Sequence, residues 1–166
     1  MAGAESAVSG EGIGEIRVLG DEDGEQVLTL VKNMLLTYGF RWDPDGDDAD
    51  VLEPRRYVEE GGTFLVLVRD GHIMGTLAAR KLDNRRLELR RMYLHPALWG
   101  EGWGSRLFDR LSDWAVAHEF VRLELEADPR FDRSIGFYES KGFRRMPEAS
   151  GGGQGPLRYA MNLPQG

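Results

Sequence analysis

Two periods of apolar residues alternate along this chain from residue 13 onward, and their succession lays out the elements. Ile16 to Leu19 reads as a short strand, after which Asp21 or Asp23 suits the start of a helix whose apolar residues Val27, Leu30, Val31, Met34 and Leu35 recur at helical spacing until Gly39 ends it. Phe40 to Asp50 is turn-rich and acidic and predicts a long, mobile loop, followed by a short helix near Val51 to Val58. Thr63 to Arg69 and Ile73 to Lys81 are β-rich runs joined across Asp70-Gly71, a hairpin signal that predicts antiparallel pairing. Arg86 to Leu94 makes the next strand, with its turn at Asp83-Asn84. Leu107, Phe108, Leu111, Trp114, Ala115 and His118 mark the buried face of a helix over about 104–119. Val121 to Ala127 alternates as a strand, Asp132 to Lys141 forms a short helix capped at Gly142, and Phe143 to Met146 allows one more strand. Leu157 to Leu163 is the last strand, reached through the glycine-rich hairpin loop Ser150 to Pro156. This order predicts one α+β domain over residues 13–166, with helices against a mixed sheet. Residues 1–12 are small, polar and acidic, without the parts of a signal peptide, and read as a disordered tail.

Composition narrows the function classes. A chain of 166 residues, 41% hydrophobic and 30% charged, has the make-up of an ordinary globular domain, and no apolar run approaches a membrane span. Without cysteine there is no disulfide, thiol nucleophile or cysteine-ligated metal, so the cytoplasm is the default location. A net charge of -7 disfavours general binding to nucleic acid, which needs a basic surface. An anionic ligand therefore requires local positive potential. Arg80, Lys81, Arg85, Arg86, Arg90 and Arg91 cluster ahead of the glycine segment below, and read either as steering charges or as solvated strand charges. Asp43, Asp45, Asp47, Asp48 and Asp50 either attract a cationic amine or form a solvated loop, and their spacing lacks the glutamate and glycine placement of a calcium-binding loop. No metal is expected.

The segment Leu94-His95-Pro96-Ala97-Leu98-Trp99-Gly100-Glu101-Gly102-Trp103-Gly104 leaves a strand and enters an amphipathic helix. Its glycines let the backbone come close to a bulky anion, and the new helix's unpaired N–H groups and dipole favour negative charge, so it can seat a phosphorylated cofactor. The same glycines also suit a plain strand-to-helix turn. A nucleotide-phosphate enzyme is poorly supported, because no lysine followed by serine or threonine completes a phosphate-binding loop.

Glu88-Leu89-Arg90-Arg91-Met92-Tyr93-Leu94, the glycine segment, and Ile135-Gly136-Phe137-Tyr138-Glu139-Ser140-Lys141-Gly142-Phe143 together resemble the GNAT superfamily of N-acetyltransferases, over roughly Glu15 to Leu163. The resemblance implies a mostly antiparallel sheet, splayed so that two diverging strands hold acetyl-CoA, and direct transfer of the acetyl group to a primary amine of a small molecule or peptide. It implies pyrophosphate binding by backbone amides of Trp99, Gly100, Glu101, Gly102, Trp103 and Gly104, with Ser105 beginning the helix below. Met92, Tyr93 and Leu94 would lie along the pantetheine arm, and Tyr138 beside the departing sulfur as its general acid. Glu88 matches a glutamate of one branch of the superfamily and is the candidate base, the alternative being a strand glutamate paired with an arginine. His95 reads mainly as a surface or cofactor-contact residue. This chain departs from the pattern in two places: Trp99 stands where relatives carry arginine or glutamine, and Phe131, Asp132 and Arg133 stand where many carry an asparagine that touches CoA. Acceptor recognition would fall on Tyr38 to Tyr57 and the loop before the last strand. A non-catalytic acyl-CoA-binding regulatory module is the alternative function. Oligomeric state stays open, a homodimer being the commonest closed assembly.

Overall fold

In the computed structural model, which describes residues 14–147 and 155–165, the chain forms β1 (Glu15–Val18), α1 (Gly24–Thr37), a 3-10 turn (Ala49–Leu52) and α2 (Arg55–Glu59). Then come β2 (Thr63–Arg69), β3 (His72–Lys81), β4 (Arg86–Leu94), a second 3-10 turn (Pro96–Leu98) and α3 (Trp103–Ala117). The chain continues through β5 (Arg122–Ala127), α4 (Asp132–Ser140), β6 (Arg144–Arg145) and β7 (Leu157–Asn162). The seven strands make one sheet in the order β1-β2-β3-β4-β5-β7-β6. All pairings are antiparallel except β4 with β5. The predicted α+β class, element order and hairpin hold, and Asp70 and Gly71 have the positive φ angles, 52° and 79°, that a two-residue hairpin turn demands.

Both faces of the sheet's first half are covered, which accounts for the unbroken apolar run of β2. Strand side chains alternate, so Leu65 and Leu67 join the core under α3 while Phe64 and Val66 join the one under α1 and α2. Leu107 and Leu111 of α3 close the first core, and Val27, Val31 and Tyr57 the second. Exposed turns of α1 are polar except Leu36, consistent with a helix that buries one stripe.

Two details at β4 shape the cleft described below. β4 pairs with β5 only where Arg86, Leu87 and Glu88 meet Arg122, Leu123 and Glu124; beyond that point the two strands separate. On its other edge β4 carries a bulge, for Thr76 faces Tyr93 and Ala78 faces Arg90, leaving Arg91 and Met92 together opposite Leu77. Arg91 takes the extra residue's left-handed conformation, at φ 55°. The bulge shifts the alternation by one, so Tyr93 turns toward α1 while Met92 and Leu94 turn toward α3.

Several expectations are corrected. Asp23 precedes α1, but its carboxylate makes no cap bond to the helix and instead accepts from Arg17 and from the Gly20 amide. His118 lies at the exposed end of α3, stacked on Trp114, because the helix ends at Ala117 and the chain turns there. Within the expected loop the acidic run is folded on itself: the Asp43 amide donates to the Asp48 carboxylate at 2.8 Å, and the Asp48 amide returns to the Asp43 carbonyl at 2.9 Å. The 1–12 tail and most of the 150–156 loop lie outside the described residues.

Candidate functional site

Where β4 and β5 part, the edge of β4 from Leu89 to Leu94 faces a cleft of about 300 Å³. Met92, Tyr93 and Leu94 form one wall, Leu125 and Ala127 the other, and Tyr138 of α4 lies across it. Backbone groups on that free edge have lost their strand partner, so an extended ligand with amides of its own can pair with them as a neighbouring strand would.

One end of the cleft meets the glycine turn. His95 Nδ1 accepts from the Ala97 amide at 3.0 Å, which caps the short 3-10 turn. Gly100 and Gly102 have φ of 83° and 85°, a region where an L side chain is strained, and Gly102 heads α3. The N–H groups of Trp103, Gly104 and Ser105 are therefore first-turn donors without intrahelical acceptors. A Cβ on Gly104 would lie 3.5 Å from Met92 and 3.8 Å from Phe137, so this residue seats α3 closely against β4 and α4. The side chains around these amides serve the fold. Trp103 is buried at 2% exposure, and Glu101 bonds Arg69 and the Trp103 indole. Trp99 donates its indole N–H to the Leu94 carbonyl at 2.7 Å, tying the turn to the strand's end.

Of the residues expected to contact the cofactor, Met92, Tyr93, Leu94, Trp99, Gly104 and Tyr138 come together on the cleft. Gly100, Glu101, Gly102, Trp103 and Ser105 sit in the turn beyond its lining. Glu88 lies at the base of the fork, outside the lining, with its carboxylate 3.8 Å from Arg80. The carboxylates on the cleft itself are Glu126 and Asp128, and Asp128 is held by Arg130 at 2.9 Å. Burial pushes the Tyr138 phenol well above its ordinary range, with the neighbouring Tyr93 adding to the shift, so its proton stays on at any physiological pH. Phe137 and Phe143 pack on that ring edge to face and supply the apolar setting.

What sequence reasoning missed is how the bulge is held. Arg91 is 7% exposed and its guanidinium reaches Asp50 at 2.6 Å, Asp48 at 3.0 Å and the Asp47 carbonyl at 2.9 Å. Tyr57 adds its hydroxyl to Asp50 and accepts from Arg90. Burial raises the Asp50 carboxyl, but the Arg91 hydrogen bonds outweigh that and hold it below the usual carboxylate range. The acidic run is thus neither a solvated loop nor a free cation trap at these positions; two of its carboxylates neutralise a buried arginine. A second, polar cavity of about 460 Å³ opens beside it, floored by Arg80, Lys81 and Arg90, and Arg90 also borders the cleft.

A parallel pair that forks beside a glycine-headed helix defines a class of protein as well as a cleft. The family model described as the acetyltransferase (GNAT) family matches residues 28–143, more than half of the chain, and the chain belongs to that family. Among curated proteins, N-acetylaspartate synthetase of Homo sapiens is 32% identical over 87 residues, covering 52% of this chain and 29% of that protein. This chain thus spans less than a third of the length of that relative and of its rat counterpart. Among solved structures, a GNAT-family acetyltransferase from Staphylococcus aureus Mu50 superposes with a TM-score of 0.82 at 20% identity, covering 91% of this chain and 99% of that one. PaiA N-acetyltransferase from Thermoplasma acidophilum, in complex with coenzyme A, gives 0.72 at 19% identity over 90% of this chain and 99% of that one. At such identities the likeness is one of fold. Among the described residues no helix is long and apolar enough to cross a membrane.

Proposed function

We propose that the protein is an acetyl-CoA-dependent N-acetyltransferase that moves the acetyl group directly to a primary amine of a small molecule or peptide. The observation that carries this reading is the fork, which leaves the β4 edge from Leu89 to Leu94 open beside both the glycine turn and Tyr138. The residues present fit the co-substrate: first-turn N–H groups of α3 take the pyrophosphate, and the β4 edge takes the amide-bearing arm. Strand amides near Met92 and Tyr93 polarise the thioester carbonyl as the amine attacks. Tyr138, kept protonated by burial, donates to the departing thiolate.

The attacking nitrogen must first be neutral. Glu88, two residues below Arg90 on the same strand face, receives its proton through water. Glu126 is the second reading for the base, favoured by its place in the cleft lining. Support for nitrogen as the accepting atom comes from the name of the human relative, N-acetylaspartate synthetase, in which the acetyl group is on nitrogen. Thiol release from acetyl-CoA across a panel of small amines, amino acids, aminoglycosides and N-terminal peptides tests the reading. Amine-dependent release supports it; coenzyme A binding with no turnover on any acceptor would favour the regulatory module.

A further inference from the structure

Trp99 occupies the corner between β4 and the glycine turn, and it brings no charge to a place where two phosphates would sit. The cation at that corner comes from another element. Arg133, in the first turn of α4, lays its guanidinium over the Trp99 indole with its carbon 4.8 Å from the ring centroid. Both residues border the cleft, and the contact spans it from the β4 side to the α4 side. Resting on the acetyl-CoA reading above, we infer that Arg133, held on the face of Trp99, is the cationic ligand of the coenzyme A pyrophosphate.

Three observations carry this. First, Arg133 is placed within reach of the turn. It precedes Phe137 by one helical turn, about 6 Å along α4, and Phe137 is the residue that a Cβ on Gly104 would meet at 3.8 Å. Second, its charge is uncommitted: among the described residues no carboxylate comes within ion-pair distance of it, whereas Arg130 just before is engaged by Asp128. Third, the geometry leaves the right atoms free. A guanidinium lying over an indole ring spends none of its N–H groups on a conventional acceptor there, so those donors remain available to phosphate. The indole in turn donates its N–H to the Leu94 carbonyl at 2.7 Å, which orients the platform. In a chain of net charge -7, one aimed guanidinium also offsets the repulsion a polyanion meets on approach.

The test is binding of coenzyme A, dephospho-coenzyme A and pantetheine to the full chain and to Arg133→Ala by titration calorimetry, with thermal unfolding of both proteins as a control for folding. Arg133→Ala is expected to weaken coenzyme A and dephospho-coenzyme A alike, by about tenfold, the size of one charge-assisted contact at a partly exposed site. Pantetheine, which carries no phosphate, should bind both proteins equally. An unchanged affinity for coenzyme A would overturn the inference. So would equal weakening of pantetheine, which would make Arg133 a support of the cleft, or a loss confined to coenzyme A, which would move Arg133 to the 3′-phosphate. If coenzyme A does not bind the wild-type protein, the acetyl-CoA reading itself falls, and that outcome is seen before any variant is made.

Discussion

Asp50→Asn tests how the bulge of β4 is held. The change keeps the side chain's size and removes one charge from a pair in which Arg91 is 7% and Asp50 13% exposed. Arg91 then retains Asp48 and the Asp47 carbonyl, but an amide NH2 is set against its donors or against the Tyr57 hydroxyl. Removing one partner of a buried pair costs about 3–5 kcal/mol; with Asp48 still in place the low end, about 3 kcal/mol, applies. For a chain of this size each kcal/mol lowers the melting temperature by about 2–4 °C, so a fall of about 6–12 °C is expected. The pH dependence has a definite sign. Asp50 titrates below its unfolded value, so its contribution is complete at neutral pH and is lost as acid protonates it, from about pH 4 downward. Thermal unfolding followed by circular dichroism, for both proteins at pH 7 and at successively lower pH, should show the gap narrowing on acidification. A fall below about 2 °C at neutral pH, or a gap that widens in acid, would refute the reasoning.

Tyr138→Phe should lower the chemical step about tenfold while leaving coenzyme A affinity within about twofold, since the phenol acts on the leaving group; unchanged turnover would remove it from the mechanism. Because burial raises that phenol, wild-type turnover should show no loss from this group up to about pH 10. Glu88→Gln should depress kcat/KM chiefly at lower pH, where amine deprotonation limits, and Glu126→Gln should not; the reverse pattern would transfer the base to Glu126. At the foot of the fork, Glu124 is 6% exposed and is shared by Arg86, Arg122 and Arg158. Glu124→Gln should cost about 1–2 kcal/mol, a moderate figure because the arginines keep their own solvent, read as a fall in the urea midpoint.

Much of this fold was legible in local pattern. Val27, Leu30, Val31, Met34 and Leu35 form the buried stripe of α1, and Leu107, Phe108 and Leu111 that of α3, because a 3.6-residue period leaves little choice of face. Asp70-Gly71 set the β2–β3 turn and pair Arg69 with His72, since few residues tolerate two successive positive φ angles. Resemblance in the glycine segment and the Tyr138 helix added the class of chemistry, and of those residues Leu94, Trp99, Gly104 and Tyr138 line one cleft.

Tertiary structure decided the rest, because long-range partners have no local period. Strict alternation from Leu87 and Leu89 would send Tyr93 under α3; the bulge at Arg91 sends it toward α1, and that bulge is held by carboxylates more than forty positions away in sequence. Composition read Asp48 and Asp50 as solvated acids or a lure for cations, since nothing nearby in sequence announced their arginine. Likewise nothing near Trp99 in sequence announced that α4 lays Arg133 across its ring. Sequence by itself determined which segments become helix and strand and which face of each is apolar, for those preferences act within a few residues. Where β4 and β5 part, which charges cancel in the interior and which remain aimed at the cleft depend on distant segments meeting, and only the folded chain brings them together.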